Sequence, residues 1–529
     1  MIELSAQDAT FLAMDSPNSP WNGGIVLVYD RPAGAAGMNF QDVVDHFQAR
    51  LHLMDVFRLK LARTPGNLAR PYWVEDQNLD LEFHMRNIAL PPPGDWRQFC
   101  LQVCRLIARP LDLTRPPWEL YMIEGLDAIE RFSKGSFALV LKVHHAALDG
   151  RAFLAIMGVL HSLDPKALPP PPPAKAQEFE AEPTSMGLLM RAGVKAVRTP
   201  LAASRTLGNA WPGLRQVALP ALWRRLRGDS GPSKGTPETR FNGPITPHRS
   251  WGACFFDLAD TKPIRAAVEG ATVHDIAVAV FGGALRTYLG ERGELPTDPM
   301  KTAIMIDVRG SGDHAALGNQ LSGMFATLAT DIADPLARLA AVRASTLAAK
   351  NATAKLGARD VAGLLDLLPE AIISPTMKLM LAAGNRSGRG LFSKFNTAVT
   401  GMAGPPKPLY LGGTELTHVI GFGPLVDGLG LINIQMSYNG EFVMTFTADR
   451  DAMPDPQRYE ECIYQAFDEL RRAAQHHLQA EMAQAAKAVR ATTTGKAAKT
   501  AKVAKTAKTA MTAKTAKTAK PRPRAVRLS

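Results

Sequence analysis

Pro169 to Pro173 are five consecutive prolines. Each fixes φ and removes a backbone donor, so no helix or sheet can absorb the run. The chain must divide there. At 529 residues it is also too long for one ordinary domain. We therefore expect an N-terminal lobe over 1–165, a proline-rich spacer and basic linker over 166–240, a second lobe over 241–480, and a tail over 481–529.

In the first part, Gly24–Tyr29 reads as a strand, and Phe40–Leu53 and Trp96–Ala108 as amphipathic helices. Phe137–Val143 is apolar at nearly every position, as expected of a strand covered on both faces. Arg151–Leu163 then reads as a helix. These alternating elements predict an α/β lobe.

The linker carries its own signal. Thr184–Gly228 holds eight basic residues and no acidic one, with Leu, Met and Trp between them. Two readings stand: a pair of connector helices packed on the lobes, or an interfacial segment drawn to anionic lipid.

Beyond Phe241, Thr272–Leu289 is strongly helical, Thr302–Ile306 is a strand and Pro335–Lys350 a helix. Asp360–Ala383 is apolar and amphipathic. Leu431–Tyr438, Asn439-Gly440 and Phe442–Thr447 spell a hairpin with a strong turn signal. A terminal helix starts near Asp455 and runs past Leu470.

The net charge of +12 belongs to the end of the chain. Residues 487–529 hold thirteen Lys and Arg and no acid; without them 48 basic residues face 49 acidic ones. From Ala491 lysines recur every third residue, a period that drifts around a helix and builds no apolar face. We expect a disordered polycation.

Four cysteines, Cys100, Cys104, Cys254 and Cys462, show no C-x-x-C pair and no zinc-like clustering. They read as buried small hydrophobes in a reducing compartment. Neither a signal peptide nor a membrane-spanning stretch is visible, so a cytoplasmic location is expected.

One constellation carries chemistry: His144-His145-Ala146-Ala147-Leu148-Asp149-Gly150, between the buried strand and a helix. Adjacent histidines on extended backbone point to opposite sides, so at most one faces a given cavity. An imidazole there suits a general base, because its ordinary pKa lies near working pH. Asp149-Gly150 supplies a tight turn, and Asp149 can pair with an arginine. Simple residue frequencies give the H-H-x-x-x-D-G string by chance in about one such chain per thousand. We find no G-x-S-x-G, P-loop, G-x-G-x-x-G or H-E-x-x-H pattern, and no third ligand at metal spacing. A base without a nucleophile of its own points to activation of a substrate group.

The motif and its setting resemble the bacterial wax ester synthase/acyl-CoA:diacylglycerol acyltransferase family, within the CoA-dependent acyltransferase superfamily. Leu4–Leu12 is similar to that family's opening. Pro110-Leu111-Asp112 with Arg115–Leu120, Phe241–Ile245 through Arg249, Gly318–Ser322, Gly404-Pro405, Pro408–Gly413, Asp427–Leu431 and Asp449–Asp455 match in order. The resemblance spans about residues 1–475. Departures fall at Pro117, His274, Asp307 and Gly401–Ala403, where tunnel walls and oxyanion donors are expected.

The resemblance implies two acyltransferase-like lobes with the catalytic histidine in a tunnel between them. His145 would deprotonate diacylglycerol or a long-chain alcohol, which attacks an acyl-CoA thioester to give triacylglycerol or wax ester. His144 and Asp149 would be architectural; from its place at the end of a predicted apolar strand, Arg309 or another inward arginine is expected to pair with Asp149. Gly150, Trp118, Asp275, Arg309 and Asn319 are expected around the substrates. No cofactor or metal is implied. The enzyme would sit peripherally on the inner membrane or on lipid inclusions. A lipid-granule or nucleoid-binding protein using its lysine tail on polyanions is the alternative.

Overall fold

The computed structural model describes residues 1–31, 38–147, 150–171, 183–194, 235–307, 321–355 and 394–516. Met1–Arg471 form one compact unit and Arg472–Ser529 another. Among its described residues the first unit holds two six-stranded sheets and a small three-stranded one. This is the expected α/β class with two sheet-bearing lobes.

The first lobe is built on strands β2 (Asn22–Tyr29), β5 (Met85–Ala89), β6 (Trp118–Glu124) and β7 (Phe137–His144). Helices α1 (Ala6–Met14), α2 (Phe40–Gln48), α4 (Trp96–Ile107) and α5 (Gly150–Leu160) accompany them. The short helix α3 (Leu81–His84) precedes β5. Strands β1 (Ile2–Glu3), β3 (Leu59–Ala62) and β4 (Tyr72–Glu75) make the small sheet. Helix α2 stops at Gln48, short of the expected Leu53, and a separate turn of 3₁₀-helix covers Leu51–Leu53.

The second lobe contains β8 (Arg249–Asp257), β9 (Lys301–Asp307), β10 (Leu321–Thr327), β11 (Thr397–Ala403), β14 (Leu431–Tyr438) and β15 (Glu441–Asp449). Its order is β10-β9-β11-β14-β15-β8. Asn439 and Gly440 take φ of 45° and 85° at the β14–β15 turn, the left-handed pair that a two-residue hairpin requires.

The two intervening strands do not stay in this lobe. β12 (Leu409–Leu411) and β13 (Thr414–Phe422) complete the first sheet, whose order is β12-β13-β2-β7-β6-β5. Thus the boundary expected at residue 241 is crossed by strands from the second half. Gly24 of β2 is required at this seam. A Cβ there would lie 2.1 Å from the Leu141 carbonyl oxygen and 2.2 Å from the Phe422 ring.

Strand β7 is buried along its whole length between β2 and β6. Leu139, Leu141 and Val143 join one apolar cluster and Ala138 and Val140 another, as the two-residue side-chain period requires. Both clusters draw residues from the second sheet, among them Ile434 in the first and Trp251 in the second. All four cysteines are buried and unbridged.

Within the linker, residues 185–194 are helical (α6) and Leu188 is buried against Tyr72 and Val74. Helix α7 (Thr261–Ala267) is followed by α8 (Val273–Gly290) and α9 (Pro335–Lys355). The amphipathic segment expected at Asp360–Ala383 lies outside the described residues.

Helix α10 is assigned over Pro456–Ala516, so helical backbone geometry extends into the lysine repeat. Alanine and lysine are strong helix formers, and propensity needs no apolar face. Among the described residues no helix is long and apolar enough to cross a membrane.

Candidate active site

Strand β7 delivers the histidine pair to its end. His144 is its last residue, opposite Asn22 of β2, and its N–H donates to the Pro117 carbonyl at 2.9 Å. The chain then turns. The N–H of His145 donates to the Trp21 carbonyl at 2.7 Å, and that of Ala147 to the His144 carbonyl at 2.9 Å. The two rings are therefore separated by a strand end followed by a turn, rather than by alternation along one strand.

Their environments differ accordingly. His144 is buried, and its Nδ1 accepts the Ala146 N–H at 3.1 Å, which leaves the ring proton to Nε2. That Nε2 lies 3.9 Å from Asp15 Oδ1. Burial, then the neighbouring His145 and Arg63, push the His144 pKa down to about 3, so the ring is neutral at working pH. Asp15 is itself raised by burial, against the Trp21 N–H that it accepts at 3.0 Å.

His145 is only partly buried and has aromatic walls. The Phe11 ring meets it edge-on at 5.1 Å and the Trp21 indole at 6.2 Å, while Phe11 and Trp21 stack on each other at 4.8 Å. Phe11 is placed by α1, where Ser5 caps the helix and accepts the Asp8 N–H at 3.1 Å. Gly23 leaves room on the sheet side, since a Cβ there would sit 3.5 Å from His145 Cδ2.

Behind the strand, Lys142 is fully buried and pairs with Glu119 Oε2 at 2.6 Å. Its ammonium also donates to the carbonyls of Leu106 at 3.2 Å and Arg109 at 3.1 Å. Asn22 Nδ2 donates to the same Arg109 carbonyl at 2.8 Å. The two side chains thus donate to carbonyls at and just beyond the end of α4, and fix it to the strand carrying the histidines. On the other side, Ser19 Oγ donates to the Leu425 carbonyl at 2.6 Å and Arg249 to the Asn18 carbonyl, which ties the segment before Trp21 to the second half of the chain.

The other expected site residues separate. Trp118 is a core residue: its indole donates to the Phe57 carbonyl at 3.0 Å and stacks on His84 at 4.5 Å. Asp275 is occupied by the fold rather than by a cavity. One oxygen accepts Thr272 N–H and Oγ at 2.9 and 2.7 Å, the other accepts Thr346 Oγ at 2.6 Å, and Arg343 lies 3.8 Å away. It forms a capping box for α8.

His274 beside it faces Gln435 at 3.4 Å, and burial pushes its pKa down to about 4. Gly150 begins α5 and Asp307 ends β9. Asp149, Arg309 and Asn319 lie outside the described residues, and with them the expected Asp149–Arg309 pair.

Sequence reasoning missed Phe11, Asp15, Trp21, Asn22 and Lys142 as parts of the site. Lys142 had a signal, being a charge inside an otherwise apolar strand. Phe11 lay in a segment read only as a resemblance, and Trp21 and Asn22 precede the strand expected at Gly24–Tyr29 in a way many loop residues do.

Comparison with known proteins gives the family. Residues 4–277 match the family described as the wax ester synthase/diacylglycerol acyltransferase catalytic domain, and residues 317–471 its C-terminal domain. A Mycobacterium tuberculosis protein provisionally named a diacylglycerol O-acyltransferase is 31% identical over 467 residues, covering 86% of this chain and 93% of its own. A similarly named Mycobacterium bovis protein is 32% identical over 475 residues, covering 89% and 99%. The solved wax ester synthase/diacylglycerol acyltransferase of Marinobacter aquaeolei VT8 superposes with a TM-score of 0.63 at 24% identity, covering 90% of this chain and 100% of its own. The first condensation domain of the calcium-dependent antibiotic synthetase has a TM-score of 0.53 at 15% identity, covering 89% and 96%.

Proposed function

Because this chain belongs to the wax ester synthase/diacylglycerol acyltransferase family, we propose that it transfers a long-chain acyl group from acyl-CoA to diacylglycerol or a long-chain alcohol, with His145 as general base. Its standing as an acyltransferase follows from the family match over both halves of the chain. The observation that carries the assignment of the base is the contrast between the two imidazoles. His144 is buried, engaged at Nδ1 and held neutral, whereas His145 is partly exposed in a turn between aromatic walls.

The chemistry proceeds as follows. An alcohol is too weak an acid to attack a thioester unaided, and a positioned base supplies about 10²–10⁴-fold in rate. His145 takes the hydroxyl proton as the alcohol oxygen bonds to the thioester carbon. The oxyanion collapses, the carbon–sulfur bond breaks, and the CoA thiolate takes the proton back. Acyl-CoA is consumed as substrate, and the step needs no resident cofactor.

The lipid acceptors reside at surfaces, which fits a peripheral enzyme. Helix α6 presents Met186, Met190 and Val194 to solvent with 67%, 68% and 54% exposure, a one-sided apolar stripe beside the basic linker.

Purified protein incubated with radiolabelled palmitoyl-CoA and either dioleoylglycerol or hexadecanol should yield labelled triacylglycerol or wax ester. His145→Ala should abolish both products. Undiminished turnover by that variant would refute the base.

A further inference from the structure

Buried indole N–H groups in this protein find acceptors. Trp96 donates to Glu460 at 3.1 Å, Trp118 to the Phe57 carbonyl at 3.0 Å, and Trp251 to the Gly421 carbonyl at 3.2 Å. Trp21 departs from this pattern: its Nε1 is buried and has no hydrogen-bond partner among the described residues. A buried donor without an acceptor costs about 1–3 kcal/mol, and such groups are rare enough to need a reason.

The position of Trp21 supplies one. Its ring lies edge-on to the His145 imidazole, with centroids 6.2 Å apart. Its carbonyl holds the His145 N–H at 2.7 Å, its own N–H is held by Asp15 at 3.0 Å, and its face is stacked on Phe11. The indole is thus fixed through its backbone on both sides and through its ring. With the ring centroids 6.2 Å apart, the indole and the imidazole are near enough for one reacting group to meet both.

We propose that the indole N–H of Trp21 donates a hydrogen bond to the thioester carbonyl oxygen of bound acyl-CoA as that oxygen becomes an oxyanion. The inference rests on the acyl-transfer reading above and adds to it the donor that the reaction needs. His145 removes the proton from the attacking hydroxyl. The new carbon–oxygen bond forms while the carbonyl π pair moves onto oxygen, and the Trp21 N–H meets that charge. When the carbon–sulfur bond breaks, the pair returns and the thiolate leaves with the proton from His145. A fixed donor aimed at developing charge in a water-poor site stabilises the transition state more than the bound substrate. The effect therefore falls on kcat.

The test replaces Trp21 with β-(3-benzothienyl)alanine, which keeps the bicyclic shape and deletes the N–H, alongside Trp21→Phe. Loss of one such donor lowers kcat by about 10²–10³-fold. For the benzothienyl protein we expect a fall of that order, with KM for palmitoyl-CoA and the melting temperature close to wild type. An analogue with wild-type kcat would overturn the inference alone. A wild-type protein that acylates neither acceptor would overturn the acyl-transfer reading, and this inference with it.

Discussion

The N–H of His145 and the carbonyl of Trp21 are joined by a hydrogen bond of 2.7 Å, which fixes the turn after strand β7 to the segment entering strand β2. The bond sets where the imidazole begins. The stacked Phe11 and Trp21 rings set where it ends. Several consequences can be measured.

The two histidines should separate stability from activity. His144→Ala opens a cavity in a fully packed place and leaves the Ala146 N–H without its acceptor, so a loss of about 2–4 kcal/mol is expected in urea unfolding. His145→Ala removes a partly exposed ring and should cost less than about 1.5 kcal/mol, while losing turnover. Equal destabilisation by both variants would contradict this division.

Acid should weaken the fold below the ordinary histidine range. Burial lowers His144 to about 3 and His161 to about 4, and it also lowers the less buried His46 to about 4. The unfolded chain takes up these protons near pH 6.5 and the folded one does not. Stability is therefore full above pH 6.5 and falls as pH drops toward 4, by about 1.4 kcal/mol per pH unit for each of the two most buried rings. Urea midpoints measured from pH 7 to 4.5 will show it, and a flat profile would exclude it.

Glu460 should act in the opposite direction. Its carboxylate accepts Trp96 Nε1 from helix α4 at 3.1 Å and the Ala253 N–H from strand β8 at 3.1 Å, so it joins the two halves of the compact unit. Burial raises its pKa to about 7. The folded state holds this proton more tightly, so the associated stability is present below about pH 4.5 and is lost as pH rises through 7. Glu460→Gln keeps an acceptor without the charge. Its melting temperature relative to wild type should rise between pH 5 and pH 8, and a constant difference would count against the assignment.

The neighbouring glycines should respond differently. Gly24→Ala drives a methyl group into the Leu141 carbonyl and the Phe422 ring at the seam with β13, and we expect more than about 3 kcal/mol of destabilisation or failure to fold. Gly23→Ala meets only His145 Cδ2, at an ordinary contact distance of 3.5 Å. That variant should fold, with its change appearing in the pH dependence of kcat. A Gly24→Ala protein as stable as wild type would show that β13 does not pack as described.

Much of this was legible in the chain itself. The apolar run Phe137–Val143 required a doubly covered strand, Asn439-Gly440 required a hairpin, and the His144-to-Gly150 string at a strand end marked the place of chemistry. These features are local, because periodicity and turn chemistry act over a few residues. The five prolines announced a division of the chain, but they could not reveal that β12 and β13 return across it to complete the first sheet.

Only the tertiary structure decided which histidine is sealed and which is accessible, that Asp275 belongs to a helix cap, and that Trp21 keeps a buried N–H without an acceptor among the described residues. The physical reason is common to all three. A sequence pattern reports that a residue is to be buried, but its hydrogen-bond partners, its desolvation and any donor left over are properties of contacts made across long stretches of chain.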